Sequence, residues 1–154
     1  MSRRIAIVGT RPPSIRTWNA MVPPRHPNAT AMVEKERASQ QRVFELIRSD
    51  VVRFMLALPE GVTIVSGGAN GVDALAASLA RQRRFTLVEH LPRPEEHGGR
   101  FGPAAYARNQ LIVDDAEDLY AWPSPWGRGT WDTIARARRK GKLREVFEPW
   151  VRVK

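Results

Sequence analysis

The chain has no cysteine in its 154 residues. Disulfides and thiolate metal sites are thereby excluded, which fits a reducing compartment. Histidine is scarce as well. His26, His90 and His97 are far apart and lack the spacing of metal ligands. Glu95, Glu96 and His97 lie together in a polar stretch expected to be solvated. No apolar run is long enough to span a bilayer. The opening "MSRRIAIVGTRPP" has too short an apolar run for a signal peptide. These absences predict a cytoplasmic protein with no membrane partner. The G-x-S-x-G elbow, the P-loop and the Rossmann G-x-G-x-x-G are missing too. There is no internal repeat, no low-complexity tail and no clear linker. The length suits a single domain, 1–154, able to bury its own core.

Basic residues are plentiful: 25 Lys and Arg against 16 Asp and Glu, a net charge of +9. That raises nucleic acid or a phosphate-bearing ligand as a partner. It is equally the surface of an arginine-preferring protein. The one local cluster, Arg136 to Lys142, falls at a predicted helix C-terminus, where cations are favoured in any case.

Elements follow from the pattern of apolar residues. Ile5–Val8 reads as a buried strand. Five prolines between Pro12 and Pro27 forbid regular structure there, so about 11–33 is expected to be an irregular insertion, guessed to cover the site as a lid. Val43, Ile47, Val51, Phe54 and Leu58 form one face of a helix over about 34–58. That helix offers a surface for a second copy, so a homodimer is one expectation. "VTIVSGG" is a second strand and "VDALAASLARQRR" a helix. Thr86–Leu91 is a third strand, 92–103 is irregular, and 104–114 is a helix. Asp118–Trp122 is a fourth strand, 130–140 a helix, and "LREVFEP" a fifth strand. Strands alternating with helices predict an α/β fold, a Rossmann-like three-layer sandwich with a mostly parallel sheet. The unusual loops "GTRPP", "SGGANG", "PRPEEHGGRFGP" and "PSPWGRG" then all fall at the carboxyl ends of strands, where ligands of such sheets bind.

"IVSGGANGVDALA" places Ser66, Gly67, Gly68, Ala69, Asn70 and Gly71 between a strand and a helix. Free backbone N–H groups at a helix start favour a phosphate, and glycine lets it approach. A plain tight turn uses the same glycines for geometry alone. Gly127 and Gly129 repeat the logic before the last helix, with Thr130 expected as its N-cap. Asp73 could bond a ribose, brace the glycine loop, or simply favour the helix dipole. Arg108 could pair with a phosphate and Asn109 with a base or ribose, or both could make only local bonds. Trp18, Trp122 and Trp126 could stack a base. Trp122 is better placed in the core and Trp126 in the loop.

"IVSGGANGVDALAASLA", "ARNQLIVDDAEDLYAW" and "GRGTWDTIARARRKGK" together resemble the SLOG superfamily. That group includes the DNA-processing DprA (Smf) proteins and the LOG phosphoribohydrolases. The small stand-alone YspA- and YpsA-related members are the nearest in character. The resemblance implies a Rossmannoid sheet binding a nucleotide or a nucleotide derivative at these loops. Gly9, Thr10 and Arg11 match the first-strand element, Ser66 to Asp73 the "SGGA-x-G-x-D" element, Arg108 and Asn109 the "RN" pair, and Gly129 and Thr130 the "GT" of the last helix. LOG hydrolases carry P-G-G-x-G-T-x-x-E. Here Thr133 stands where the glutamate would fall, Asp132 lies one position early, and the double glycine is absent. Phosphoribohydrolase activity and single-stranded DNA binding are therefore alternatives to ligand binding, and no catalytic residue is assigned.

Overall fold

The computed structural model describes residues 2–14 and 28–152. Trp18 and most of the expected lid lie outside them. Five strands form one sheet: β1 (Arg4–Gly9), β2 (Thr63–Ser66), β3 (Thr86–Glu89), β4 (Asp118–Trp122) and β5 (Leu143–Val146). The order is β3-β2-β1-β4-β5 and every pair is parallel. Four helices connect them: α1 (Ala29–Ala57), α2 (Val72–Gln82), α3 (Phe101–Asp115) and α4 (Gly129–Arg139). Short 3₁₀ turns occupy Pro94–His97 and Pro149–Arg152.

The central strands are apolar on both faces, as a sheet covered on both sides requires. On one side Ile5, Ile7 and Ile64 pack against Ile47, Val51 and Met55 of α1 and Val72, Ala76 and Leu79 of α2. On the other Ala6, Val8, Val65 and Leu119 pack against Ile112 and Val113 of α3 and Ile134 and Ala137 of α4. Trp122 is fully buried, stacked on Phe147 at 4.6 Å, and its indole N–H donates to Asp50 at 2.8 Å. It is a core residue, not a stacking platform.

Several boundaries differ from the sequence-based expectation. α1 begins at Ala29, so the irregular insertion ends about five residues early; β3 ends at Glu89; and α3 begins at Phe101. Pro103 fits the first turn of α3, where its missing N–H has no intrahelical partner to lose. The apolar face of α1 lies on its own sheet, with Ile47 and Val51 fully buried, so that face is not available to a second copy.

The sheet starts at β1, winds one way through β2 and β3, and then returns to the other side of β1 as β4. The loops after β1 and β4 therefore diverge to opposite faces, and a crevice opens between them. This is the topological switch point at which open parallel sheets bind ligands.

Candidate functional site

That crevice is a cavity of about 490 Å³. The β1 loop contributes Gly9, Thr10, Arg11 and Pro12. The β2 loop and α2 contribute Ala69 and Asp73. Phe101, Tyr106, Arg108 and Asn109 come from α3, and Trp126 to Thr130 from the β4 loop and α4. Eleven of the sequence-selected residues thus share one wall: Gly9, Thr10, Arg11, Ala69, Asp73, Arg108, Asn109, Trp126, Gly127, Gly129 and Thr130. Ser66, Gly67, Gly68, Asn70 and Gly71 are not part of it.

The glycine loop after β2 is built for packing. Three backbone donors of this loop and of the start of α2 have protein acceptors. The Gly68 N–H donates to Ser66 Oγ at 3.3 Å, Ala69 N–H to Asp73 Oδ2 at 3.2 Å, and Val72 N–H, at the start of α2, to the Thr10 carbonyl at 3.1 Å. Gly71 has φ +87°, and a Cβ there would sit 2.3 Å from the Thr10 carbonyl oxygen. Only glycine lets the β1 loop close onto α2 in this way. The first loop thus takes one of the N–H groups at the start of α2, where the phosphate cradle is expected.

Gly67 makes room of another kind. A Cβ there would meet Arg108 Nη1 at 2.8 Å and Asp73 Oδ2 at 3.0 Å. Two oppositely charged side chains from different helices converge over it. Arg108 is only 7% exposed. Its Nη1 donates to the Gly67 carbonyl and its Nε to Asn109 Oδ1 at 3.1 Å. Among the described residues no carboxylate lies within ion-pair distance of it. Burial lowers its pKa, Asp73 pushes it back up, and Arg11 lowers it further. Among the described residues Asp73 is the one acid on the cavity wall. Burial raises its pKa to about 6, against the opposing effects of N–H groups from Ala69 and Gly9 and of the charges of Arg108 and Arg11.

Like α2, α4 starts without a side-chain cap. The helix begins at Gly129 with Arg128, not Thr130, at the N-cap. Its first N–H groups have no intrahelical partner, and Gly129 and Thr130 line the cavity. Asn109 ties this end down, donating to Asp132 Oδ2 at 3.0 Å and the Gly129 carbonyl at 3.4 Å. Asp132 is further held by Arg136 at 2.7 Å. It is therefore turned to a structural network and is absent from the cavity wall. Thr133 faces the cavity, its hydroxyl donating to the Gly129 carbonyl at 3.1 Å.

The rim is aromatic. Trp126 is half-buried and donates from Nε1 to the Arg11 carbonyl at 3.0 Å, which ties the β4 loop to the β1 loop. Thr10 Oγ1 and Ser124 Oγ, both buried, lie 2.5 Å apart and make the same connection lower down. The Arg11 guanidinium sits 5.7 Å from the Phe101 ring centre. Phe101 and Tyr106 are about half exposed (52% and 45%). Neither ring is among the site residues expected from the sequence, nor is Arg128. Phe101 falls in a stretch expected to be irregular, and nothing in the local pattern marks Tyr106 as facing a cavity. The one signal in the sequence is a pair of aromatic residues close together after a special loop.

No family model matches the chain, and no curated protein matches its sequence. Solved structures do match. DNA processing protein A (DprA) from Streptococcus pneumoniae superposes with a TM-score of 0.53 at 17% identity, over 95% of this chain and 50% of that one. The chain spans about half the length of that protein. TM1055, a structural-genomics target, gives 0.48 at 19% identity over 92% of this chain and 72% of its own. DNA processing protein A from Helicobacter pylori, described for its single-stranded DNA binding mode, gives 0.49 at 18% identity, covering 92% and 63%. The chain has the Rossmann-like fold of the Streptococcus pneumoniae protein, in agreement with the SLOG resemblance carried by its motifs.

Proposed function

We propose that the chain, as one domain in the cytoplasm, binds a nucleotide-derived ligand in the crevice between the β1 and β4 loops. The observation that carries the reading is Arg108, a buried guanidinium on the cavity wall with no carboxylate partner among the described residues. Burying a charge without an ion-pair partner is costly, so a site that keeps one is suited to an anion that arrives later. The start of α4 lies on the same wall and adds open N–H groups and a helix dipole of the right sign. Arg11 and Arg128 add positive charge at the mouth. Phe101, Tyr106 and Trp126 supply faces for a base. The phosphate subsite is thus assigned to Arg108 and the Gly127–Thr130 turn, and the base to the aromatic rim.

Hydrolysis of such a ligand has less support. Thr133 stands where a glutamate would act, and Asp132 is held by Asn109 and Arg136. A hydrolase here would have to rely on Asp73. Single-stranded DNA is the second reading, favoured by the net charge of +9 and the exposed aromatic pair Phe101 and Tyr106. Base stacking on such rings and phosphate neutralisation would act together.

A thermal-shift series against nucleoside phosphates and ADP-ribose tests the reading. A ligand at a hundred times its Kd stabilises by about 2.7 kcal/mol, which is roughly 5–10 °C for this size. The shift is expected to vanish in Arg108→Ala and to shrink in Trp126→Ala. An unchanged shift in a folded Arg108→Ala variant would remove the proposed phosphate subsite. Binding of oligonucleotide alone, falling steeply with salt, would move the assignment to DNA.

A further inference from the structure

Asp73 and Arg108 approach the same point above Gly67, each within 3.0 Å of it, and so lie less than about 6 Å apart. No ion pair joins them, because Arg108 points Nη1 at the Gly67 carbonyl and Asp73 accepts from the Ala69 N–H. Both are more than nine-tenths buried, and both line the cavity. An anion drawn to Arg108 would therefore be placed beside a carboxylate that water screens poorly. The charged groups facing Asp73 are Arg108 from α3 and Arg11 from the β1 loop. His90 and His97 are not on the cavity wall.

We propose that Asp73 is a protonation gate on this site, so that an anion is taken up at Arg108 together with a proton on Asp73. The inference rests on the anion subsite proposed above and adds its regulation. With Asp73 neutral, Arg108 is an unopposed buried cation. With Asp73 charged, its field cancels much of that attraction and repels the anion directly. At a separation near 6 Å and an effective dielectric of about 20, one charge changes an affinity by roughly a hundredfold, so a tenfold effect is a conservative expectation. The raised pKa of Asp73, about 6, puts the change in a range that cells visit. By linkage, anion binding raises it further.

Sulfate is a suitable probe because it stays fully ionised between pH 5 and 7.5. Its affinity is measured by NMR titration of the whole chain, with ionic strength held constant by chloride. In the wild type the apparent Kd is expected to weaken at least tenfold from pH 5 to 7.5. Calorimetry at pH 6.5, in buffers of different ionisation enthalpy, should show net proton uptake on binding. Asp73→Asn should bind at both pH values with the low-pH affinity, and Arg108→Ala should bind at neither. The calorimetric measurement needs no variant and stands even where Asp73→Asn does not fold. Sulfate binding that depends on Arg108 but is flat with pH and takes up no proton would overturn the gate and leave the subsite intact. No sulfate binding to the wild type at pH 5 would overturn the subsite, and the gate with it.

Discussion

At the scale of single residues, the glycines divide by what surrounds them. Gly71 and Gly141 both have positive φ, +87° and +68°. A Cβ on Gly71 would strike the Thr10 carbonyl, whereas one on Gly141 would meet nothing within 4 Å. Gly141→Ala is expected to cost about 1 kcal/mol, the strain of the backbone conformation alone. Gly71→Ala should cost about 3 kcal/mol or more, because the β1 loop must also be forced off α2. Urea unfolding of the two variants measures the difference, and equal losses would show that the Thr10 contact is unimportant. The sequence displays the same letter at both positions. Its local pattern marks a turn, but the neighbour that makes one glycine irreplaceable, Thr10, lies far away in the chain.

At the scale of elements, the C-terminus of α1 illustrates a cap supplied from a distance. The helix ends with no basic residue in its last turn. Arg83, just past α2, donates from Nη1 to the carbonyls of Met55, at 3.0 Å, and of Leu58. Its guanidinium also lies 4.6 Å from the Phe85 ring centre. One side chain thus satisfies carbonyls that the end of a helix leaves open and pins α1 to α2. Arg83→Met keeps the aliphatic stem and removes the donors, so a loss of about 1–3 kcal/mol is expected in chemical denaturation. A loss below about 0.5 kcal/mol would mean that water serves those carbonyls equally well. The helix itself was legible from the spacing of Val43, Ile47, Val51 and Phe54, since burial follows the 3.6-residue period. The cap was not, because Arg83 reads as one more surface cation.

At the scale of the whole molecule, acidic groups at opposite edges of the sheet act on stability in opposite directions. Asp118, buried at the amino ends of the strands, accepts from Arg3 and Arg144. Burial alone would raise its pKa, but the hydrogen bonds from Arg144 and Arg3 outweigh that and hold it below the usual carboxylate range. Its stabilisation is present above the unfolded pKa and is lost as pH falls through the lower folded value. Asp73 at the carboxyl ends is the reverse. Its folded pKa, about 6, lies above the unfolded 3.8, so the folded chain holds that proton more tightly. Stability from Asp73 is full below about pH 4 and is lost as pH rises through 6, by about 3 kcal/mol in all. Between pH 4.5 and 7.5 the Tm of the wild type is therefore expected to fall by several degrees relative to that of Asp73→Asn. Parallel Tm profiles for the two proteins would show that Asp73 ionises without penalty. Such a strained acid beside a cavity is a common mark of a binding or catalytic site, where stability is given up for function.

The local pattern of the sequence by itself determined the alternation of five strands and four helices, the parallel sheet, and the convergence of special loops on one rim. It could do so because burial imposes a period on each segment independently of the others. It also marked the Gly127–Thr130 turn, while Arg108 and Asn109 were singled out by the resemblance of their motif. Only the tertiary structure decided which of two similar glycine loops brings its glycines to the cavity wall. The N–H groups of Gly68, Ala69 and Val72 go to Ser66, Asp73 and Thr10, whereas Gly129 and Thr130 at the start of α4 line the cavity. It likewise decided that Asp73 and Arg108 share one point above Gly67. Such facts depend on which distant groups reach a backbone donor or a buried charge first, and that competition is settled only when the sheet brings its loops together.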